Sequence, residues 1–138
     1  MKDSFKDKQI LFSTLWVFLT LNYLYCDVLT LMSAEMLNAL LTGTVGGMEM
    51  NETTLLGAGV IMEISIAMVL VSRIASYKLN RISNIIAGTI KTIIMIGTLM
   101  MGEPALHYMF FATIEIATSI FIAWHAWQWK NNEIMKVD

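Results

Sequence analysis

Four long apolar stretches, each carrying a single Asp, Glu or Lys, constrain the fold of this chain more than any other feature. The stretches cover residues 10–32, 54–72, 82–101 and 105–127. An apolar run of about 20 residues is long enough to cross the hydrocarbon core of a bilayer as a helix. The sequence therefore predicts an all-α fold, a bundle of four transmembrane helices, with residues 1–138 as a single membrane domain.

The composition supports this assignment. Charged residues make up 14% of the chain and hydrophobic residues 57%, whereas a soluble domain carries about 25% charged residues. The first stretch is too long for the apolar region of a signal peptide, and no small-residue cleavage site follows it. We therefore expect it to be a membrane helix.

The basic residues predict the orientation of the bundle. Of the nine Lys and Arg residues, all but Lys91 lie before the first stretch, between the second and third, or after the fourth. The other two connections carry acids without bases, namely Glu35, Glu49, Glu52 and Glu103. Because cytoplasmic connections are enriched in Lys and Arg, we expect a multi-pass protein of the cell (plasma or inner) membrane with both termini in the cytoplasm.

The connection between the first two stretches predicts a short additional helix. Ser33 can cap an amphipathic helix over residues 34–41. Such a helix lies in the plane of the membrane surface, so we expect it on the outer side, where it either covers the mouth of the bundle or merely fills the surface. Gly43, Gly46 and Gly47 then turn the chain back.

Three of the charged side chains fall at mid-membrane depth. With a rise of about 1.5 Å per residue, Glu63, Lys91 and Glu115 each lie roughly 13–15 Å from one end of their stretch, near the centre of a core about 30 Å thick. Asn22 reaches a similar depth, and Asp27 lies nearer the outer mouth. A charged group at that depth costs about 3 kcal/mol and is by default a functional-site hypothesis.

Helical spacing indicates which way these side chains point. Residues three or four apart share a helix face, and small residues mark faces at which membrane helices approach each other. The predicted inward faces are Tyr23 with Asp27; Gly59 with Glu63 and Ala67; Asn84 with Gly88, Lys91 and Met95; and Ala112 with Glu115, Ser119 and Ala123. We expect these faces to converge inside the bundle.

The convergence predicts a ligand-binding site. Lys91 would pair with one glutamate, and the other would be protonated, hydrogen-bonded, or able to hold a cationic ligand. The predicted site consists of Glu63 and Glu115 as binding carboxylates, Lys91 as the charge that makes them titrate differently, and Asn22, Tyr23 and Asp27 as the outer approach. The competing interpretation is a structural ion-pair network that sets helix pairing.

No familiar catalytic or metal-binding motif accompanies this site. The chain has no HExxH, GxSxG, P-loop or GxGxxG sequence, so no catalytic residue is predicted. Cys26 is the one cysteine, and His107 and His125 lie near opposite interfaces, so we expect neither a metal site nor an intramolecular disulfide. Acidic residues lie among the basic residues of the N-terminus and reduce its net positive charge, which disfavours a nucleic-acid partner. No sequence feature identifies a cofactor.

Several segments resemble known membrane families. Residues 22–32, 62–73, 84–92 and 113–116 resemble a family of small, uncharacterised prokaryotic four-helix membrane proteins, a domain of unknown function. This resemblance implies the fold without an activity. More distantly, Glu63 and the residues that follow it to Arg73 resemble the second helix of DoxX-like membrane proteins, some of which are associated with quinone-linked sulfur oxidation.

Three functions compete at this point. The first is binding or transport of a small cationic or protonatable molecule, or of a proton, within the lipid bilayer. Transport favours a homodimer, because four helices leave little room for a pathway. The second is a non-catalytic accessory or structural membrane subunit with a buried ion-pair network. The third is a quinone- or lipid-linked redox component, implied by the DoxX-like resemblance. An enzyme is the least favoured class.

Overall fold

The computed structural model describes residues 5–100 and 104–130. Within these residues the chain forms α1 (Phe5–Leu31), α2 (Ala34–Leu41), β1 (Thr44–Val45), β2 (Met48–Glu49), α3 (Glu52–Ile74), α4 (Tyr77–Leu99) and α5 (Leu106–Gln128). Four of these helices, α1, α3, α4 and α5, are long and apolar enough to cross a membrane. Glu103, one of the acids used to predict orientation, lies outside the described residues.

Three of the long helices, α1, α3 and α4, are longer than the apolar stretches that predict them. α1 begins at Phe5 rather than at residue 10, and α4 begins at Tyr77 rather than at residue 82. Apolarity marks the part of a helix that can lie in hydrocarbon, whereas backbone hydrogen bonding continues into the polar flanks. Hydropathy therefore underestimates the length of these helices.

The connection between α1 and α3 combines a helix with a hairpin. Ser33 caps α2 and accepts a hydrogen bond from the backbone N–H of Met36 at 3.5 Å. Gly46 and Gly47 have φ angles of 57° and 82°, which a two-residue turn between β1 and β2 requires. The glycines predict this turn, but strands of two residues are too short to be predicted from alternation.

The four long helices run alternately up and down. The side chain of Gln9, near the start of α1, donates a hydrogen bond to Ala75 O after α3 at 3.1 Å. At the opposite end, Thr30 Oγ1 of α1 lies 3.1 Å from His107 Nε2 of α5. We call the end that holds the start of α1 and the end of α5 the terminal end, and the end that holds α2 and the hairpin the loop end.

The helices pack most closely in the terminal half of the bundle. Phe12, Trp16 and Leu19 of α1 are fully buried, and α1 packs chiefly against α3 and α5. A Cβ added to Gly88 of α4 would lie 2.9 Å from Ser119 O of α5. The backbones of α4 and α5 therefore approach each other closely at Gly88, as the small residue there predicts.

A hydrogen-bonded polar network lies within this core. Asn84 Oδ1 accepts from Trp16 Nε1 at 2.7 Å and from Ser72 Oγ at 3.3 Å. Asn84 Nδ2 donates to Asn80 Oδ1 at 2.6 Å, and Asn80 Nδ2 donates to Ser72 O at 2.6 Å. The network joins α1, α3 and α4, and all four of its side chains are fully buried.

α3 is the least buried of the four long helices. The interior covers 11% of its most apolar window, against 22% to 28% for the other three. Residues 55–60 are all exposed, and a Cβ added to Gly57 or Gly59 would meet nothing within 4 Å. Residues 55–60 of α3 therefore stand away from the neighbouring helices.

Candidate functional site

A cleft of about 370 Å³ lies among α1, α3, α4 and α5 in the loop-end half of the bundle, and we call it the loop-end cleft. Small and apolar residues of α3 and α4 form part of its wall. Its polar lining consists of Tyr23, Cys26, Asp27, Lys91, Thr98, Tyr108 and Glu115. Four of the six site residues predicted from the sequence therefore share one cavity: Tyr23, Asp27, Lys91 and Glu115.

Lys91 is almost entirely enclosed, with 2% of its surface exposed. Its Nζ donates to Ile61 O at 3.4 Å and lies 3.9 Å from the centre of the Tyr23 ring, a geometry in which the ring face attracts a cation. Within the described residues, no carboxylate oxygen lies within 4.0 Å of Lys91 Nζ. The expected direct pairing of Lys91 with a glutamate is therefore wrong, because a carbonyl and a ring hold the ammonium instead.

Glu115 is also buried in the wall of the cleft, with 1% exposure. Its Oε1 has no hydrogen-bond partner among the described residues, and neither has the Tyr23 hydroxyl. Ser119 is close to that hydroxyl, and its Oγ donates to the backbone carbonyl of Glu115 at 2.7 Å. Because buried polar atoms are nearly always paired, Glu115 Oε1 marks a position at which a bound molecule can donate a hydrogen bond.

The remaining polar groups lie toward the loop end of the cleft. Asp27 is exposed, and the Tyr108 hydroxyl donates to Thr98 Oγ1 at 2.9 Å. Cys26 is a buried free cysteine. No sequence pattern singles out Cys26, Thr98 or Tyr108 as site residues. Their signal in the sequence is that each lies in the part of an apolar stretch on the same side of the membrane as Asp27.

The prediction that Glu63 points into the bundle is wrong. Glu63 is exposed and does not line the loop-end cleft. The buried face of α3 is formed by Ser65, Met68 and Ser72, and two residues turn a helix by about 200°, so burial of Ser65 directs Glu63 outward. Gly59 suggested close helix packing on the Glu63 face, but the space beside Gly59 is open.

The placement of Asn22 beside the site is also wrong. Asn22 is half-exposed and does not line the cleft. Its Nδ2 donates to Phe18 O, one turn earlier in α1, at 2.9 Å. The asparagine is therefore satisfied by its own helix.

The cleft brings together two carboxyl groups, one ammonium and two phenols. When all three charged groups are ionised, the lining is net negative and attracts cations. Within residues 5–100 and 104–130, no group of three or more His, Cys, Asp or Glu side chains is arranged to hold a metal ion. Because of its net negative charge, the lining can bind a cation or a hydrogen-bond donor at the carboxyls of Asp27 and Glu115.

The comparisons with known proteins bear on family rather than on chemistry. Residues 2–136 match a family of unknown function, DUF6326. No curated protein and no solved structure is significantly similar to the chain. With a match over nearly its whole length, the chain belongs to the DUF6326 family, whose function is unknown.

Proposed function

We propose that the chain is a multi-pass membrane protein that binds a small cationic or protonatable molecule in the loop-end cleft. The observation that supports this proposal most directly concerns Glu115. Its carboxyl is buried in the cleft wall, and its Oε1 lacks a hydrogen-bond partner among the described residues. A buried polar atom without a partner costs about 1–3 kcal/mol. A ligand that donates a hydrogen bond to Glu115 removes this cost.

The charges of the cleft favour a cation over an anion. Glu115 and Asp27 line the cleft together with a single ammonium, that of Lys91. Lys91 contacts Ile61 O and the Tyr23 ring, and no carboxylate oxygen of the described residues lies within 4.0 Å of its Nζ, so it does not occupy the Glu115 carboxyl. Glu115 can therefore serve as the deep contact for a ligand cation, with Asp27 as its outer contact.

The size and position of the cleft suit a small molecule. Its volume of about 370 Å³ falls within the range of about 300–1,000 Å³ that is usual for ligand sites. Trp16 and the Asn84 network fill the interior toward the terminal end, so the ligand would enter from the loop end. Transport, as an extension of this proposal, would require the terminal half to open as well.

The proposed orientation places both termini in the cytoplasm and the loop end outside, with α2 at the outer membrane surface. It rests on the basic residues, since Arg73, Lys78 and Arg81 lie around the α3–α4 connection at the terminal end. Cytoplasmic connections are rich in such residues. The loop-end cleft would then face the outside.

The test is to measure binding of benzylammonium, a small aromatic cation, to the full chain in lipid nanodiscs by isothermal titration calorimetry. Glu115→Gln should weaken binding roughly 10- to 100-fold, because a hydrogen bond to a charged group contributes about 1.5–3 kcal/mol. Glu63→Gln is the matched control, since it makes the same change in an exposed mid-helix glutamate outside the cleft.

The control should bind as the unchanged chain does, and both variants should keep its thermal stability. Absence of saturable binding to the unchanged chain would contradict the proposal. So would an equal loss of affinity in both variants, because the effect would then not be specific to the cleft.

The second candidate function is that of a non-catalytic accessory subunit whose buried charges only hold the helices together. The contacts of Lys91 with Ile61 O and the Tyr23 ring favour it, since they hold the ammonium within the protein. In that case Glu115→Gln should lower stability without any ligand effect, and the chain should co-purify with a larger partner.

A third proposal, a quinone- or lipid-linked redox component, rests on the DoxX-like resemblance of the α3 segment. It predicts a tightly bound cofactor. Visible or near-ultraviolet absorbance beyond that of the aromatic residues in the purified protein would support it, and a spectrum without such bands would count against it.

A further inference from the structure

The outward face of α3 carries a regular seam of residues, of which Ala67 is partly buried and the others are exposed. Counting along the helix, the intervals between them alternate between four and three residues. The members of this α3 seam are Leu56, Val60, Glu63, Ala67, Leu70 and Ile74. The apolar members Leu56, Val60, Leu70 and Ile74 are 69%, 58%, 64% and 80% exposed. This alternation is the spacing at which two helices pack side by side as a coiled coil.

Glu63 lies at the centre of the seam, and its charge makes this face unsuited to lipid. A carboxyl facing the hydrocarbon core is costly, and such groups usually pair within a helix interface. Glu63 is exposed, and no described residue forms a hydrogen bond or an ion pair with its side chain. Something outside this copy of the chain must therefore cover the carboxyl once α3 is in a bilayer.

A second copy of the same chain provides that cover. When two copies are related by a twofold axis along the membrane normal, each residue of one lies at the same depth as its equivalent in the other. An α3 seam on the axis therefore packs against itself, and the two Glu63 side chains meet. If one is protonated and the other ionised, the first donates a hydrogen bond that the second accepts.

We propose that the α3 seam is a homodimer interface, in which the two Glu63 carboxyls share one proton across the twofold axis. The interface rests on the membrane placement proposed above but is independent of the ligand in the loop-end cleft. Among the described residues, no exposed Lys or Arg lies in the central part of the four long helices. The matching group at that depth on a second copy is therefore Glu63 itself.

Cysteine cross-linking in nanodiscs or native membranes tests the interface geometry. Leu56→Cys and Leu70→Cys place a thiol one heptad before and after Glu63, and Ile93→Cys on α4 is the matched control because Ile93 is as exposed as Leu70, at 64%. The native Cys26 is 4% exposed, so the unchanged chain gives the background. Both α3 variants should form disulfide-linked dimers at several times the yield of Ile93→Cys.

The strength of the dimer tests the role of Glu63. Glu63→Leu should raise the dissociation constant of the dimer roughly 3- to 30-fold, the range expected from the loss of a single interhelical hydrogen bond in a membrane. Glu63→Gln should retain the dimer, since an amide both donates and accepts hydrogen bonds. Single-molecule photobleaching in lipid at graded dilution measures this constant.

Three results would overturn the proposal. One is cross-linking at the α3 positions no greater than at Ile93→Cys. Another is a Glu63→Leu dimer as tight as that of the unchanged chain. The third is a purified chain that stays monomeric at every dilution. The α3 seam would then be the contact surface for a different protein, one with a basic group at mid-depth. None of these results depends on benzylammonium binding.

Discussion

Asn84 and Glu115 are both buried, but their polar atoms have different surroundings. Asn84 accepts from Trp16 and Ser72 and donates to Asn80, so no part of its amide lacks a partner. Glu115 Oε1 has no partner among the described residues. Buried polar groups without partners are unfavourable, and this contrast separates a residue that stabilises the bundle from one available to a ligand.

Replacement of Asn84 by Leu should destabilise the protein. Leu fills a similar volume but leaves Trp16 Nε1 without its acceptor at 2.7 Å and Asn80 Oδ1 without its donor at 2.6 Å. Each buried group left unpaired costs about 1–3 kcal/mol. We expect the free energy of unfolding in mixed detergent micelles to fall by at least about 1 kcal/mol.

The matched control is Asn22→Leu in the same assay. Asn22 is half-exposed, and its side chain bonds only to the carbonyl of Phe18 in its own helix. This substitution should change the free energy of unfolding much less than Asn84→Leu. Equal effects of the two would contradict the role assigned to the Asn84 network.

At the scale of whole elements, the pairs of helices differ in how closely they approach. α4 and α5 meet at Gly88, where backbone and side-chain atoms of Ser119 and Ala123 leave no room for a Cβ. α3 packs on α1 near the terminal end through Ser13, which donates to Val69 O at 3.0 Å. In the loop-end half of α3, residues 55–60 are exposed, and the long side chain of Lys91 reaches across to Ile61 O at 3.4 Å. This difference leaves room for the cleft.

Gly88→Ala should loosen the α4–α5 pair. The added Cβ would lie 2.9 Å from Ser119 O and 3.2 Å from Ala123 Cβ, so the helices must shift apart. Overpacking of this kind costs about 1–3 kcal/mol, and thermal unfolding of the purified protein should show a lower midpoint.

Gly97→Ala on the same helix provides the comparison. A Cβ at Gly97 meets nothing within 4 Å, and Ala is favoured over Gly inside helices by about 1 kcal/mol. We therefore expect an unchanged or slightly raised midpoint. A lower midpoint for Gly97→Ala than for Gly88→Ala would be inconsistent with a close crossing at Gly88.

The whole molecule is divided into a closed half and an open half. Large side chains such as Phe12 and Trp16 and the Asn84 network fill the terminal half, whereas the loop-end half contains the cleft with Lys91 and Glu115. A molecule with this asymmetry offers its polar interior to one side only. The proposed orientation makes that side the outside of the cell.

Labelling of single cysteines in intact cells with a membrane-impermeant maleimide tests the orientation. Met48→Cys in the hairpin, 48% exposed, should react from outside, because it lies at the loop end. Lys78→Cys at the exposed start of α4 should react only after permeabilisation. The opposite pattern would reverse the orientation, and the native Cys26, which is 4% exposed, should give little background.

Patterns along the chain are sufficient to predict the helices of this protein, though not its two short strands. Apolar length predicts the four long helices, and the spacing of Asn84, Gly88, Lys91 and Met95 correctly predicts the buried face of α4. Burial of Glu115 is correctly predicted in the same way. These predictions succeed because each depends on one helix at a time, on its length, its depth and the period of its residues.

Only the packed bundle shows how α3 is rotated about its axis and which groups pair with the buried polar side chains. α3 has apolar residues on every side, so the pattern leaves its rotation undetermined. Packing in the bundle buries Ser65 rather than Glu63. Likewise, Lys91 lies against Ile61 O and Tyr23 rather than a carboxylate. Rotation and pairing depend on how the surfaces of several helices fit together, and a single helix does not encode that fit.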